Sequence, residues 1–131
     1  MIRVMINSQP LALIVDDAVF NRRLLAAMLA VNGIRSIEAE NGKDALDKLD
    51  EVTPDIILLD IMMPVMDGFQ TLSIIKQRGY TFPVIILTAD CQESTREICL
   101  EMGASYFVTK PIRHENILEL VKIFIKSNVN A

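Results

Sequence analysis

An α/β fold of five parallel strands alternating with five helices, (βα)5, is predicted by three features of the sequence. Short apolar runs rich in β-branched residues recur roughly every 20 to 27 residues, a spacing suited to parallel strands joined by crossover helices. Segments with helical spacing fill the intervals between them. Asn-Gly, Asp-Gly and single glycine positions fall at the joins.

The first strand is read over Leu11 to Val15, whose lack of polar alternation implies burial on both faces. Phe20, Leu24 and Met28 recur every four residues and make the expected stripe of the first helix, which Asn32-Gly33 can close. Ile34 to Ile37 form the second strand, and Asn41-Gly42 opens a helix with Leu46 and Leu49 on one face. Ile56 to Leu59 form the third. Asp67-Gly68 opens the next helix, where Phe69, Leu72 and Ile75 recur every three residues. Phe82 to Leu87 form the fourth strand, and Gly103 closes the helix after it. Tyr106 to Thr109 form the fifth strand, followed by an apolar helix through Ile125.

At 131 residues the chain has the length of one compact domain, with a core expected over about 11–127 and a tail over 1–9. Hydrophobic residues make up 51% and charged residues 23%, with five glycines and five prolines, a globular composition. A formal charge of −4 leaves no basic footprint for direct nucleic-acid binding. The longest apolar run, Leu24 to Val31, is far short of the roughly 20 residues a membrane-spanning helix requires. Met1 to Pro10 lacks the apolar stretch of a signal peptide, and the expected location is cytoplasmic. Cys91 and Cys99 lack C-x-x-C spacing and are read as small apolar residues with reduced thiols.

The conspicuous polar residues fall at strand ends: Asp16 and Asp17 after the first, Asp60 after the third, Thr88 after the fourth and Lys110 after the fifth. Open α/β sheets bind ligands outside the carboxyl ends of their strands. If the doubly wound parallel sheet has the flavodoxin-like order 2-1-3-4-5, the first and third strands are central neighbours and the three aspartates converge. Clustered carboxylates must take up protons or share a cation. Hard oxygen donors and an incomplete protein cage favour Mg²⁺, which keeps waters and accepts a phosphate oxygen. An aspartate can attack phosphorus to give an acyl phosphate. Lys110 would be the fixed positive charge beside the phosphoryl oxygens, and Thr88 a hydroxyl donor to one of them.

The stretches Leu13-Ile14-Val15-Asp16-Asp17, Leu58 to Gly68, Leu87-Thr88-Ala89, Gly103-Ala104 and Thr109-Lys110-Pro111 resemble, in order, the receiver domains of two-component response regulators. The most specific of them is Asp60-x-x-Met63-Pro64-x-Met66-Asp67-Gly68. The resemblance covers about Leu11 to Ser127. It implies that Asp60 accepts a phosphoryl group from a phosphohistidine on a sensor histidine kinase or histidine phosphotransfer protein. By the same resemblance Asp17 and Asp60 ligate Mg²⁺ directly, Asp16 through water, and the Met62 backbone carbonyl completes the protein share. Thr88 and Phe107 take the switch positions, and Lys110-Pro111 is expected to be cis. Met62 and Asp90 occupy the positions that tune the acyl-phosphate lifetime.

Structural readings stand beside these. Asp17 could cap the first helix, and Asp67 could cap the third. Met62, Met63 and Met66 are read as loop packing, and His114 as solvent-facing in the first turn of the last helix. Three rival functions fit the residues less well. An aspartate-nucleophile phosphatase wants a second aspartate two residues beyond the nucleophile, where this chain has Met62. A flavin carrier wants a Ser-, Thr- and Gly-rich loop after the first strand, where Asp16-Asp17 would repel phosphate. A receiver-like module signalling without phosphorylation is disfavoured by the intact acidic and basic positions.

Two surfaces are expected to meet partners. Val19, Phe20 and Asn21, in the first turn of the first helix, flank the active edge and could dock a helical phosphodonor. In the last helix, seven of the nine residues Ile117 to Ile125 are apolar, so its apolar face is broader than sheet contact requires. Leu120 and Ile123 on the extra flank are expected to join the fourth helix and fifth strand as a surface for an output protein or self-association. The last helix ends near the end of the sequence, so no output domain is expected in this chain.

Overall fold

A computed structural model describes residues 9–111 and 113–130. Apart from Gln9, the tail expected over 1–9 lies outside the described residues. Ten elements alternate along the chain: β1 (Leu11–Val15), α1 (Val19–Val31), β2 (Arg35–Ala39), α2 (Gly42–Glu51), β3 (Ile56–Leu59), α3 (Gly68–Gln77), β4 (Val84–Thr88), α4 (Glu93–Glu101), β5 (Tyr106–Thr109) and α5 (His114–Asn130). The strands form one parallel sheet in the order 2-1-3-4-5, as expected, with Val15 paired to both Ala39 and Leu59.

The pleat sends successive strand residues to opposite faces. Leu13, Val15, Ile57, Leu59, Val84 and Ile86 pack with α2, α3 and α4. Ala12, Ile14, Ile56, Leu58, Ile85 and Leu87 pack with α1 and α5 through Leu25, Leu29, Ile117, Val121 and Ile125. Both faces are thereby covered, which is why β1, β3 and β4 are buried at every position.

Local chemistry sets the element ends. Asn41 caps α2 by accepting from the Asp44 N–H at 2.8 Å. Asp67 and Gln70 form a reciprocal capping box at α3. Gly33 and Gly103, at φ +78 and +104, turn the chain out of α1 and α4 in a left-handed conformation that glycine adopts without steric cost. Among the described residues no helix is long and apolar enough to cross a membrane.

Several expectations are corrected. β2 runs from Arg35 to Ala39 rather than Ile34 to Ile37, because Arg35 and Glu38 sit on a sheet edge where charged side chains reach solvent. β4 begins at Val84, after Pro83. The buried stripe of α1 is Leu25 and Leu29, whereas Phe20 is 73% exposed and Leu24 is also exposed. Cys91 is exposed rather than packed, while Cys99 is buried. Met62 is exposed rather than loop packing, although Met63 is buried. His114 is half-buried at the start of α5 instead of facing solvent.

Candidate phosphoryl-transfer site

The carboxyl edge of the sheet gathers the polar residues. Because β1 and β3 pair in register to Val15 and Leu59, the residues that follow emerge side by side, and Asp60 N–H donates to the Val15 carbonyl at 3.0 Å. Asp16, Asp17 and Asp60 each bring a carboxylate oxygen within 4.8 Å of the others. Asp16 and Asp60 are 5% and 8% exposed, while Asp17 faces solvent. Such a set of hard oxygen donors, two buried and one open, fits a divalent cation that keeps part of its water.

Lys110 reaches in from the end of β5. Its Nζ lies 3.0 Å from Asp16 Oδ2 and 3.5 Å from Asp60 Oδ2. Its backbone N–H donates to the Thr88 carbonyl at 2.6 Å, and the Lys110–Pro111 bond is cis. One lysine is shared between two buried carboxylates, and the charges do not balance. At Asp60 burial is the largest influence and holds the pKa above the ordinary carboxylate value despite the opposing pull of Lys110. At Lys110 burial pulls the pKa down, but the hydrogen bond to Asp16 and the charges of Asp60 and Asp16 outweigh it and hold the ammonium above its usual value. A second cation would relieve the surplus negative charge.

The remaining oxygens are held by backbone. Asp16 Oδ1 accepts from Ala18 N–H at 2.8 Å, and Asp60 Oδ1 from Met62 N–H at 3.1 Å. Asp17 does not cap α1: the N-cap is Ala18, with no side-chain hydrogen bond. Arg22, which sequence reasoning passed over, donates to the Asp16 carbonyl at 2.7 Å and pairs with Glu38 at 3.1 Å. Its position one helical turn beyond Ala18 on the active edge was the available signal.

The loop from Asp60 to Asp67 is anchored at both ends. Gly68 N–H donates to the Ile61 carbonyl at 2.8 Å, and Gly42 N–H to the Met66 carbonyl at 3.2 Å. At Gly68 a Cβ would come within 2.6 Å of the Asp60 carbonyl oxygen, so a glycine is required there. Between these anchors Met66 N–H donates to the Pro64 carbonyl at 2.7 Å, making a γ-turn centred on Val65 at φ +70.

Thr88 is fully buried at the end of β4. Phe107 is buried in β5, one strand over, beside the exposed Tyr106, whose ring meets Phe124 at a centroid distance of 6.1 Å. Asp90 follows Thr88 by two residues, and its carboxylate oxygens are engaged by Gln92 N–H at 2.9 Å and by the hydroxyl of Thr95, in the first turn of α4, at 2.8 Å.

Val19, Phe20 and Asn21 are exposed on α1 next to the aspartates, and Asn21 lines a cavity of about 340 Å³ with Asp16, Lys110 and His114. On the opposite flank, Phe107, Asn116, Leu120 and Ile123 line a groove between β5 and α5 of about 400 Å³. Ile123 is 58% exposed and Leu120 partly so, so no helix among the described residues covers that flank.

The sequence model of the response regulator receiver domain matches residues 12–122. The chemotaxis protein CheY of Bacillus subtilis is 39% identical over 110 residues, which span 83% of this chain and 92% of that protein. The sensor histidine kinase RcsC of Escherichia coli is 37% identical over 118 residues, covering 90% of this chain but 12% of the kinase. The chain thus spans about an eighth of the sensor kinases it matches. The receiver domain of the Francisella response regulator 1452 superposes with a TM-score of 0.87 at 30% identity, over 91% of this chain and 98% of that one. The family model spans the sheet and with it the strand ends that bear the aspartates and the lysine, and relatives more than 30% identical cover most of the chain: this chain belongs to the response regulator receiver domain family of two-component signalling.

Proposed function

We propose that this receiver takes a phosphoryl group on Asp60 from a phosphohistidine of a sensor histidine kinase or phosphotransfer protein. The observation that carries the reading is the convergence of a buried Asp60 with two further carboxylates and the Lys110 ammonium at one strand edge. A carboxylate oxygen of Asp60 forms the new bond to phosphorus as the P–N bond breaks, and the imidazole leaves with that electron pair. Lys110 lies close enough to pair with a phosphoryl oxygen, and Thr88 donates its hydroxyl to another. Asp17, Asp60 and the Met62 carbonyl would hold Mg²⁺ directly and Asp16 through water; when bound, the ion neutralises charge on the transferring group. The domain itself acts as a switch in the cytoplasm rather than as an enzyme with a released product.

Phosphorylation shifts an existing conformational equilibrium in which Thr88 moves and Phe107 repacks by volume alone, since it has no hydroxyl. The exposed Ile123 and the half-buried Leu120, with β5 and α4, would form the output surface, for a partner protein or a second copy. The exposed Phe20, with Val19 and Asn21, would receive the donor helix. Met62, whose thioether hydrogen-bonds water weakly, would slow hydrolysis of the acyl phosphate by leaving the attacking water unguided.

Intact mass after incubation with acetyl phosphate, with and without Mg²⁺, tests the core of the reading. One Mg²⁺-dependent phosphoryl adduct, absent in Asp60→Asn, is expected; an adduct that persists in that variant overturns Asp60 as acceptor. Phe20→Ala is expected to slow transfer from the partner protein while sparing acetyl phosphate. Met62→Asn is expected to speed decay of the phosphorylated form.

A further inference from the structure

The loop between β4 and α4 carries a chain of polar contacts that the charge cluster does not use. The buried Thr88 Oγ1 accepts from the backbone N–H of Asp90 at 3.2 Å. The Asp90 carboxylate then reaches forward to Gln92 N–H and to the hydroxyl of Thr95, a buried residue in the first turn of α4. Gln92, the N-cap residue of α4, makes no side-chain cap of its own. A helix start needs an acceptor, and here Asp90 supplies one from two residues upstream.

We propose that Asp90 and Thr95 are positioning residues that hold the Thr88 hydroxyl off the phosphoacceptor until phosphorylation, and that they tie its movement to the first turn of α4. The inference rests on the reading of Asp60 as phosphoacceptor. Asp60 has Met62 N–H and Lys110 Nζ as its hydrogen-bond partners, and the Thr88 hydroxyl is not among them. To donate to a phosphoryl oxygen on Asp60 that hydroxyl shifts toward β3, and the Asp90 N–H loses its acceptor. An orphaned amide in a partly buried loop is costly, so the loop moves with the threonine. Asp90 cannot move without straining its bonds to Gln92 and Thr95. Those two contacts therefore weight the equilibrium toward the unphosphorylated arrangement, and loosening them releases it.

A rival role for Asp90 is simple repulsion of phosphoryl oxygens by its charge. Two near-isosteric variants separate them. Thr95→Val removes the hydroxyl and keeps the charge. Asp90→Asn removes the charge but keeps an oxygen for Gln92 N–H and an amide that can donate to Thr95. The readouts are the initial rate of acetyl phosphate phosphorylation and the affinity for beryllofluoride with Mg²⁺, each beside the melting temperature. Thr95→Val is expected to raise both rate and affinity about two- to tenfold, the population shift worth one net hydrogen bond. Thr95→Ser should restore the parent values, and Asp90→Asn should stay within about twofold of them. Unchanged or lower values in Thr95→Val overturn the proposal, as does acceleration in Asp90→Asn alone. Should Thr95→Val fail to fold, Asp90→Ser, too short to span to Thr95, carries the same expectation against Asp90→Asn. A parent protein that takes up no phosphoryl group and binds no beryllofluoride would overturn the phosphoacceptor reading and this inference with it.

Discussion

Replacing Val65 by glycine is expected to stabilise the protein, although glycine usually does the opposite. Val65 sits at φ +70 in the centre of a γ-turn, a conformation rare for any residue and worse for one branched at Cβ. Holding a non-glycine residue there costs about 1–3 kcal/mol. Its side chain is 79% exposed, so truncation forfeits little packing. Against the relief stands the extra freedom glycine gives the unfolded chain, about 0.5–1 kcal/mol. The difference is a gain of about 1 kcal/mol. For 131 residues at ~2.1 cal/mol/K each, unfolding entropy is about 0.3 kcal/mol/K, so the melting temperature should rise by about 3–4 °C. Thermal unfolding followed by circular dichroism reads this directly, with Val65→Ala as control, since alanine keeps most of the strain. A melting temperature that falls in Val65→Gly, or rises equally in Val65→Ala, would refute the argument from backbone strain.

Four further outcomes are expected. Leu29→Ala should cost about 2–5 kcal/mol in urea unfolding while Leu24→Ala costs less than about 1 kcal/mol, since the first is fully buried and the second is not. Ile123→Glu should leave the melting temperature nearly unchanged and abolish output binding or phosphorylation-dependent dimers in sedimentation; a large fall in melting temperature would make Ile123 a core residue. Cys99, whose thiol burial and then the nearby Asp90 charge push up to about 11, should resist iodoacetamide at pH 8 in the folded protein, leaving exposed Cys91 to take the single adduct seen by mass. Asp60 has a raised folded pKa, so its ionisation costs stability once pH exceeds that pKa and costs nothing below the unfolded value near 3.8. Asp60→Asn should therefore outmelt the parent at neutral pH without metal, by a margin that closes as pH falls toward about 4.

Elements with one dominant signal were legible in the sequence. Asn41 and Asp67 cap the helices they were expected to cap, and strand ends located Asp16, Asp17, Asp60, Thr88 and Lys110 at one edge. The face of α1 was not legible for a physical reason: Leu24 to Val31 is apolar throughout, so a periodicity through Phe20, Leu24 and Met28 competes evenly with one through Leu25 and Leu29. Only packing against Ile14 and Val121 selects between them. The contacts of Asp90 were not legible, because its partners, Gln92 and Thr95, are set by how tightly the loop folds back on α4, which residue types alone do not specify. His114 was taken for a surface residue since sequence cannot show that α1 and α5 leave a cavity beside Lys110.

The two loops that wall the phosphoryl site are fastened in different materials. The loop after Asp60 has main-chain anchors beside its side-chain bonds: Gly42 to Met66, Gly68 to Ile61, and a glycine wedged against the Asp60 carbonyl. The loop after Thr88 hangs on side-chain oxygens. On the proposed reading one wall would act as a stator and the other as a rotor, so a disturbance arising at Asp60 would reach α4 through the second. On that reading tuning would follow the same division, with exchanges at Asp90 or Thr95 resetting how readily the rotor turns while the wall anchored at Gly42 and Gly68 keeps the charged residues in register.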